Sequence, residues 1–181
     1  MIKITDYIHC YENVLDKNVC KTIIDNSKNL NFFTAQTGIE LGTNKASKDR
    51  TCYTNNLDKK FDKHVYDAVG TVLTLYAKDH PYFNSGINVE DTGYEHLIYI
   101  GAEGGEYKEH TDHTDFDPRI LTCSFILNDN YDGGDFVFFS GTYKIPPKTG
   151  SAVVFPSNFC FPHAVTPVTN GDRHAIITWI H

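Results

Sequence analysis

The sequence predicts a mainly β protein of the α+β class, with a double-stranded β-helix (a cupin-like jelly roll) as its core and N-terminal helices packed outside it. Two observations support this fold class. The first ninety residues contain two segments with apolar residues at helical spacing, and from Tyr94 onward short β-type segments alternate with turn residues. Helices followed by many short antiparallel strands are typical of two packed sheets with helices outside.

The length and composition are those of one globular domain. The chain has 181 residues, of which 40% are hydrophobic, and this is enough for a sizeable core. No repeat or low-complexity linker marks a domain boundary. We therefore expect a single domain over residues 1–181, with helical support and a lid loop in residues 1–90 and the jelly-roll core with its functional site in residues 91–181.

The charge and the cysteines argue against several classes of protein. The formal net charge is −7, and no basic cluster indicates a nucleic-acid partner. Five scattered cysteines without a Cys-x-x-Cys pair indicate free thiols in a reducing compartment. The N-terminus lacks a signal-peptide core, and no apolar stretch is long enough to span a bilayer. We expect a soluble, cytoplasmic protein without a membrane partner.

The N-terminal half is predicted to contain two strands and two helices. Residues 7–14 form a predicted strand, and Asp16 is placed to cap a helix that continues to about residue 27. A strand is predicted over residues 50–54. A second helix, with an apolar stripe, is predicted over residues 57–78.

A long polar segment separates the first helix from the second predicted strand. Residues 35–49 contain glycine, asparagine and serine and show little periodicity. A loop of this length is either disordered or functional, commonly as a lid. Both interpretations remain open at this point.

The C-terminal half is predicted to consist of strands and turns. Glycine, proline and asparagine residues separate segments rich in β-branched and aromatic residues. The predicted strands are 94–100, 106–109, 120–128, 135–139, 151–155, 164–168 and 173–180, with a turn over 129–134.

A candidate metal site is indicated by the spacing of His110, Asp112 and His163. On an extended strand, residues i and i+2 point to the same face, so His110 and Asp112 can reach one point in space. Two histidines and one carboxylate form the facial triad that suits non-haem Fe(II) and leaves coordination positions open. The His-x-Asp pair alone is a weak signal, and the downstream histidine strengthens it.

Arg173 is a candidate anion ligand for the same site. It follows His163 by ten residues with a turn at Asn170–Gly171 between them, so we expect two adjacent antiparallel strands to carry both side chains toward one cavity. Arg173 shares a strand face with Ala175, Ile177 and Trp179, where an unpaired guanidinium is costly. A fixed guanidinium fork suits a carboxylate.

Together these residues resemble a known family. The segment from about Tyr94 to Trp179 is similar to the 2-oxoglutarate- and Fe(II)-dependent dioxygenases, and within them to the prolyl 4-hydroxylase family. A weaker likeness in the N-terminal half involves residues 11–15 and Arg50–Thr51. The motifs are Tyr-x-x-His-x-Asp at 107–112, Arg119, Leu127–Asn128, Gly133-Gly134-Asp135-Phe136, Pro147-x-x-Gly150, Phe155–Pro156, His163 with Pro167–Val168, Gly171-Asp172-Arg173 and Trp179.

The resemblance implies a metal centre and a co-substrate site. His110, Asp112 and His163 would bind Fe(II), and Arg173 would hold the distal carboxylate of 2-oxoglutarate. O₂ would be the second co-substrate, with ascorbate as a further candidate cofactor. The protein would supply ligation, orientation and exclusion of water around this chemistry.

The resemblance also implies roles for three other side chains. Tyr99 matches a position whose hydroxyl helps to bind the co-substrate, and Arg119 and Trp179 match positions that line the peptide side of prolyl hydroxylases. The sequence departs from the pattern at Ile126, where some relatives have a tyrosine. The hydroxyl partner of the distal carboxylate must then come from elsewhere, with Tyr99 as the candidate.

The implied function is hydroxylation of prolyl residues in a peptide or protein, with release of succinate and CO₂. A rival with the same chemistry is hydroxylation of a free amino acid or another small molecule. Oxidative demethylation of nucleic acid fits an acidic chain poorly. A jelly-roll binding domain with a dead site is the alternative from another class, and the intact residues His110, Asp112, His163 and Arg173 speak against it.

Overall fold

Two α-helices and sixteen strands form most of the regular structure of the described residues. The structure is a computed structural model that describes residues 1–40, 43–46, 48–84, 90–115 and 117–181. The helices are α1 (Lys17–Ser27) and α2 (Asp62–Asp79). The strands are β1 (His9–Tyr11), β2 (Phe33–Thr34), β3 (Gln36–Glu40), β4 (Thr43–Ala46), β5 (Arg50–Thr51), β6 (Tyr53–Asn56), β7 (Glu95–Ile100), β8 (Glu106–His110), β9 (Leu121–Ile126), β10 (Asp132–Gly133), β11 (Phe136–Phe138), β12 (Tyr143–Ile145), β13 (Ala152–Pro156), β14 (His163–Val165), β15 (Val168–Asn170) and β16 (Asp172–Ile180).

Most of the strands form two antiparallel sheets. The larger sheet has seven strands in the order β1-β13-β9-β16-β7-β6-β2, and the smaller has five in the order β12-β11-β14-β8-β5. Two further pairs, β10 with β15 and β3 with β4, stand apart from these sheets. The predicted mainly β class with antiparallel strands is confirmed.

The two sheets share a core that fixes their relative position. Buried residues of the larger sheet, such as Leu97 and Ile177, belong to the same apolar cluster as Phe138 and Val165 of the smaller sheet. Side chains on the opposite face of the larger sheet instead pack against the two helices in a second cluster. Strand β16 contributes Ile177 to one cluster and Ile176 to the other, as the alternation of side chains along a strand requires.

Both predicted helices are present. The Asp16 carboxylate accepts hydrogen bonds from the backbone N–H groups of Asn18 at 2.8 Å and Val19 at 3.2 Å, so it caps α1 as expected. The second helix differs at its start, because a 3-10 turn over Lys59–Phe61 precedes α2. The apolar stripes of both helices face the larger sheet.

Several predicted elements of the N-terminal half are wrong in detail. The predicted strand over residues 50–54 is two strands, because β5 pairs with β8 in the smaller sheet while β6 pairs with β7 in the larger one. Within the predicted loop 35–49, β3 and β4 pair as a hairpin. Residues 41, 42 and 47 of that loop lie outside the described residues. The predicted strand 7–14 is reduced to β1, after a 3-10 turn over Ile4–Tyr7.

In the C-terminal half the predicted strands are found, with three differences. The predicted strand 164–168 is divided into β14 and β15, which pair with different neighbours. The strand β12 was not predicted, and the predicted turn 129–134 contains the short strand β10. Among the described residues, the structure has no helix with both the length and the apolar character needed to cross a bilayer.

Candidate active site

A cavity of about 790 Å³ opens between the two sheets. Its lining includes His110 of β8 and His163 of β14 on the smaller sheet, and Arg173 of β16 and Tyr99 of β7 on the larger sheet. Asp112, in the loop after β8, also lines it. The cavity therefore collects the sequence-predicted ligands from both sheets.

The three predicted metal ligands converge within this cavity. One ligand atom from each of His110, Asp112 and His163 lies within 4.8 Å of the others. The Nε2 of His110 is 3.4 Å from Asp112 Oδ1, and the Nε2 of His163 is 3.5 Å from Asp112 Oδ2. Among the described residues these three form the one such group, and it could hold a metal ion.

The backbone does not bring Asp112 to the two histidines in the way that a continuous strand would. Strand β8 ends at His110, and Asp112 follows in the loop beyond it. The alternation of side chains along a strand therefore does not place Asp112. Instead, antiparallel pairing sets His163 opposite His110, and the loop turns Asp112 toward both.

Hydrogen bonds leave the two histidines ready to bind a metal through Nε2. The Nδ1 of His110 is 2.8 Å from the backbone carbonyl oxygen of Lys108, and the Nδ1 of His163 is 3.0 Å from that of Phe161. A carbonyl can only accept, so Nδ1 carries the proton and donates in each case. The lone pair then lies on Nε2, which faces the carboxylate.

The protonation states of His163 and Asp112 suit the binding of a cation. Burial lowers the pKa of His163 to about 4, so its imidazole is neutral at pH 7. Burial alone would raise the pKa of Asp112, but the two histidines and the hydroxyl of Thr122 lower it below its ordinary value. Asp112 is therefore a carboxylate, and it carries the negative charge of the group.

Thr122 on β9 is a site residue that sequence reasoning missed. Its hydroxyl donates a hydrogen bond to Asp112 Oδ2 at 2.6 Å and lies 2.9 Å from the hydroxyl of Ser157. All six residues of β9 are buried, so a hydroxyl there needs a polar partner. The sequence signal for this role was a threonine within a strand of otherwise buried residues. The sequence did not show that this strand packs beside the loop that carries Asp112.

Arg173 reaches the cavity from the sheet opposite His163, so the prediction of adjacent strands is wrong. Strand β14 belongs to the smaller sheet and β16 to the larger one. The chain crosses between them through β15, which pairs with β10. The two side chains therefore meet across the space between the sheets.

The guanidinium of Arg173 is buried with unused donors. Arg173 is 1% exposed, and its Nε and Nη1 have no hydrogen-bond partner among the described residues. A buried guanidinium without an anion is unfavourable by several kcal/mol, on the order of the cost of a buried unpaired ion. This side chain lines the cavity and can hold a carboxylate there.

Two tyrosines flank the Arg173 guanidinium. The ring of Tyr99 lies 5.1 Å from it in a cation–π contact, and Tyr99 faces Arg173 directly across the strand pair. Burial raises the pKa of the Tyr131 hydroxyl, and the neighbouring Arg173 guanidinium opposes that shift. Tyr131 lies in the predicted turn 129–134, and sequence reasoning did not single it out.

Arg119 and Trp179 form a stacked pair at another part of the cavity lining. The Arg119 guanidinium lies 3.6 Å from the centre of the Trp179 ring and forms an ion pair with Asp117 at 2.6 Å. Arg119 also donates to the backbone carbonyl of Asp112 at 3.3 Å, which ties this pair to the metal-ligand loop.

A third arginine lines the cavity. Arg50 of β5 lies over the ring of Tyr107 at 4.7 Å, and its Nε contacts the Cys52 sulfur at 3.1 Å. Tyr107 in turn stacks on His110, with ring centres 3.5 Å apart. The family resemblance included Arg50 but gave it no role. In the structure, Arg50 lies in the cavity wall beside the Tyr107 ring that stacks on His110.

The fold and the site together define a mainly β protein with a candidate mononuclear metal centre between two antiparallel sheets. Residues 94–181 match the model of the 2OG-Fe(II) oxygenase superfamily. The matched residues include the three candidate metal ligands and Arg173. The predicted family resemblance is confirmed.

The matches to individual relatives cover only part of each relative's length. The chain is 38% identical over 96 residues to a PKHD-type hydroxylase of Hyphomonas neptunium, a match that covers 46% of this chain and 41% of the relative. It is 40% identical over 66 residues to Prolyl 3-hydroxylase 2 of Mus musculus, covering 34% of this chain and 9% of the relative. The chain thus spans less than half the length of either relative.

A solved structure supports the fold over nearly the whole chain. The chain is similar to a prolyl hydroxylase from Trichoplax adhaerens in complex with a hypoxia inducible factor oxygen degradation domain peptide fragment. The TM-score is 0.75 at 20% identity, and the match covers 97% of this chain and 84% of that one. At this identity the likeness establishes the fold alone.

Proposed function

We propose that this protein is an Fe(II)- and 2-oxoglutarate-dependent oxygenase that hydroxylates prolyl residues in a peptide or protein. One observation carries the proposal: the group of His110, Asp112 and His163 shares a cavity with the buried guanidinium of Arg173, whose Nε and Nη1 have no hydrogen-bond partner among the described residues. A keto-acid co-substrate needs a metal centre and a cationic group that holds its distal carboxylate. The cavity contains a candidate for each, and the two candidates face each other.

The donor set fits Fe(II). Two imidazole nitrogens and one carboxylate are ligands of the kind that non-haem Fe(II) takes in open facial triads. Hydrogen bonds hold both rings through Nδ1, and Thr122 holds the carboxylate, so the three groups are oriented before a metal arrives. His110 is 18% exposed at its side chain and lines the cavity.

Arg173 would bind the distal carboxylate of 2-oxoglutarate. Its free Nε and Nη1 offer the paired donors that a carboxylate accepts in a bidentate contact. Tyr99 is our candidate for a hydroxyl partner in place of the residue missing at Ile126, and Tyr131 is the second candidate because it also lies beside the guanidinium. Comparison of Tyr99→Phe with Tyr131→Phe in their requirement for 2-oxoglutarate separates the two.

The bound cofactors would supply the oxidation, in which 2-oxoglutarate becomes succinate and CO₂ while one oxygen atom of O₂ enters a C–H bond of the substrate. The chain's own residues would orient the reactants and exclude water. Arg119 and Trp179 would line the substrate side, where the cation–π pair gives a rigid wall. The segment 35–49, with its hairpin, would act as a lid, and ascorbate would serve as a further reductant.

We also infer that the two sheets form a double-stranded β-helix and that residues 1–181 act as one domain. Strands β1, β2 and β6 from the first ninety residues are hydrogen-bonded into the same sheet as β16, and β5 into the same sheet as β8. The N-terminal part would therefore complete the walls of the cavity as well as support it from outside.

The test is the turnover of 2-oxoglutarate. With Fe(II), O₂ and ascorbate, we expect succinate formation that depends on a proline-containing peptide, and a gain of one oxygen in the mass of that peptide. His110→Ala and Asp112→Ala should abolish both signals. Arg173→Ala should raise the 2-oxoglutarate concentration that is needed, and an unchanged requirement would refute the co-substrate assignment.

The rival substrates are tested in the same assay. Free amino acids and other small molecules offered in place of peptides would carry the added oxygen if they are the natural substrates. A binding domain with a dead site would give no succinate under any of these conditions. The intact ligand geometry favours the enzyme over that alternative.

A further inference from the structure

Glu95 is a half-buried carboxylate in the wall of the cavity. Its Oε2 accepts a hydrogen bond from the hydroxyl of Thr54 at 3.2 Å. Across the part of the chain that the structure describes, Glu95 forms no ion pair. A carboxylate partly removed from water without a cation is unfavourable, so this position is suited to a ligand that brings a positive charge.

The strand register places Glu95 away from the co-substrate end of the cavity. In the pair β7–β16, Tyr99 is opposite Arg173, Leu97 is opposite Ala175 and Glu95 is opposite Ile177. Four residues of strand separate Glu95 from Tyr99, which corresponds to about 13 Å at the usual rise per residue.

On the same register, the next inward-facing residue of β16 after Ile177 is Trp179. Trp179 belongs to the substrate side of the proposed function. Glu95 therefore lies at the end of the cavity where a peptide would enter, and not where a keto acid would bind.

The three arginines of the cavity already have other neighbours. Arg119 is paired with Asp117 and stacked on Trp179, and Arg50 lies over Tyr107. Arg173 lies at the other end of the strand pair. The Glu95 carboxylate can thus pair with a positively charged group of a ligand that enters the cavity.

The surroundings of Glu95 suit a long basic side chain. Phe33 is 65% exposed and is opposite Thr54 in the sheet, so its ring lies in the same row of the wall as the Thr54 hydroxyl that contacts Glu95. Lysine and arginine bury their aliphatic stems on apolar surface and keep the charged head free, and that head can also contact an aromatic face.

We propose that Glu95 selects substrates that carry a lysine or arginine next to the target proline. This inference rests on the proposed function for the identity of the target residue. The basic head would pair with the Glu95 carboxylate, and its stem would pack on Phe33. The same chemistry would be satisfied by the α-ammonium of a free amino acid, so the test includes that source.

The test measures binding separately from turnover. Trp179 is the single tryptophan of the chain and lies in the cavity wall, so its fluorescence reports occupancy of this end. The full chain is loaded with Zn(II), which has no redox chemistry, and with 2-oxoglutarate. Acetylated peptides free of tryptophan and tyrosine are titrated, with lysine placed in turn at each position flanking one proline, and with norleucine as the uncharged match.

We expect the best lysine peptide to bind about fivefold more tightly than its norleucine match, the ratio for an ion pair at the upper end of the partly exposed range. Glu95→Gln keeps an acceptor for Thr54 and should remove the preference. Glu95→Lys should reverse it in favour of a peptide with glutamate at that position. Glu90→Gln is the matched control, because Glu90 is exposed and is not part of the cavity lining.

The outcomes separate this inference from the proposed function. Equal or absent binding of lysine and norleucine peptides at every position overturns the selection by Glu95, and so does a preference that persists in Glu95→Gln. Glu95-dependent binding of free L-proline, with none for lysine peptides, assigns the carboxylate to an α-ammonium and also overturns it. A Glu95-dependent peptide preference without succinate formation from Fe(II)-loaded protein refutes the proposed reaction while the binding preference stands.

Discussion

Replacement of Thr122 by valine tests whether the hydroxyl of β9 prepares the metal site. Valine has the same shape and suits the fully buried position, so the change removes the two contacts of the hydroxyl, with Asp112 and with Ser157, and little packing. The contact that concerns the metal site is the 2.6 Å hydrogen bond donated to the Asp112 carboxylate. Hydrogen bonds to charged groups contribute about 1.5–3 kcal/mol, which corresponds to roughly a tenfold to hundredfold change in an equilibrium constant.

That range agrees with the usual effect of removing a hydrogen-bond partner of a metal ligand, about tenfold to a hundredfold in affinity. The measurement is a titration of the metal-free protein with Co(II), followed by the ligand-field absorption of the bound ion. We expect Thr122→Val to weaken binding by this factor, and Thr122→Ser, which keeps the hydroxyl, to restore most of it.

Thr178→Val is the matched control for this prediction. Thr178 is also a fully buried threonine of the larger sheet, on β16, but its hydroxyl has no hydrogen-bond partner among the described residues. We expect unchanged Co(II) affinity and equal or higher stability, because a buried unpaired hydroxyl is unfavourable. Wild-type affinity in Thr122→Val, or an equal loss in Thr178→Val, would contradict the role assigned to Thr122.

Two further predictions concern the cavity arginine and the pH dependence of stability. Gly134→Ala should raise the 2-oxoglutarate concentration needed for turnover, because the added methyl would lie 2.9 Å from Val168 Cγ2, 3.0 Å from Tyr131 Cε2 and 3.2 Å from Arg173 Cδ and would crowd the surroundings of the guanidinium. Gly104→Ala, at a similar positive φ but in open space, should lose stability without this effect, and equal 2-oxoglutarate requirements in both variants would contradict the crowding argument. Burial lowers the pKa of His96 to about 3 and that of His174 to about 4, both below the ordinary value of 6.5, so the stability these neutral rings provide is complete above pH 6.5 and is lost as the pH falls toward 4. Urea denaturation should show a loss of about 1.4 kcal/mol per pH unit for each proton taken up on unfolding, and a flat profile from pH 6.5 to 4 would disprove it.

The local elements of this protein were determined largely by the sequence. Asp16 stands directly before an apolar pattern of helical period, and a side chain of this type caps a helix through bonds to backbone groups only two or three residues away. Period-two alternation likewise assigned the two faces of β16. Both signals are short-range, so they do not depend on what the rest of the chain does.

The identity of the candidate metal ligands could also be predicted, because residue type limits the chemistry. His110, Asp112 and His163 suit a facial triad wherever the backbone brings them together. The way they come together was not predicted, since β8 ends at His110 and pairing with β14 supplies the convergence. Pairing between distant strands is a property of the whole sheet and leaves no mark in the local pattern.

Only the tertiary structure determined which residues lie opposite each other and in contact. It placed Arg173 on the sheet facing His163, divided residues 50–54 between two sheets, and brought Thr122 to the Asp112 carboxylate. These contacts join residues whose partners lie far along the chain, so they follow from the packing of two sheets around one cavity. The sequence by itself determined which side chains can bind a metal and an anion, and the fold determined that they share one space.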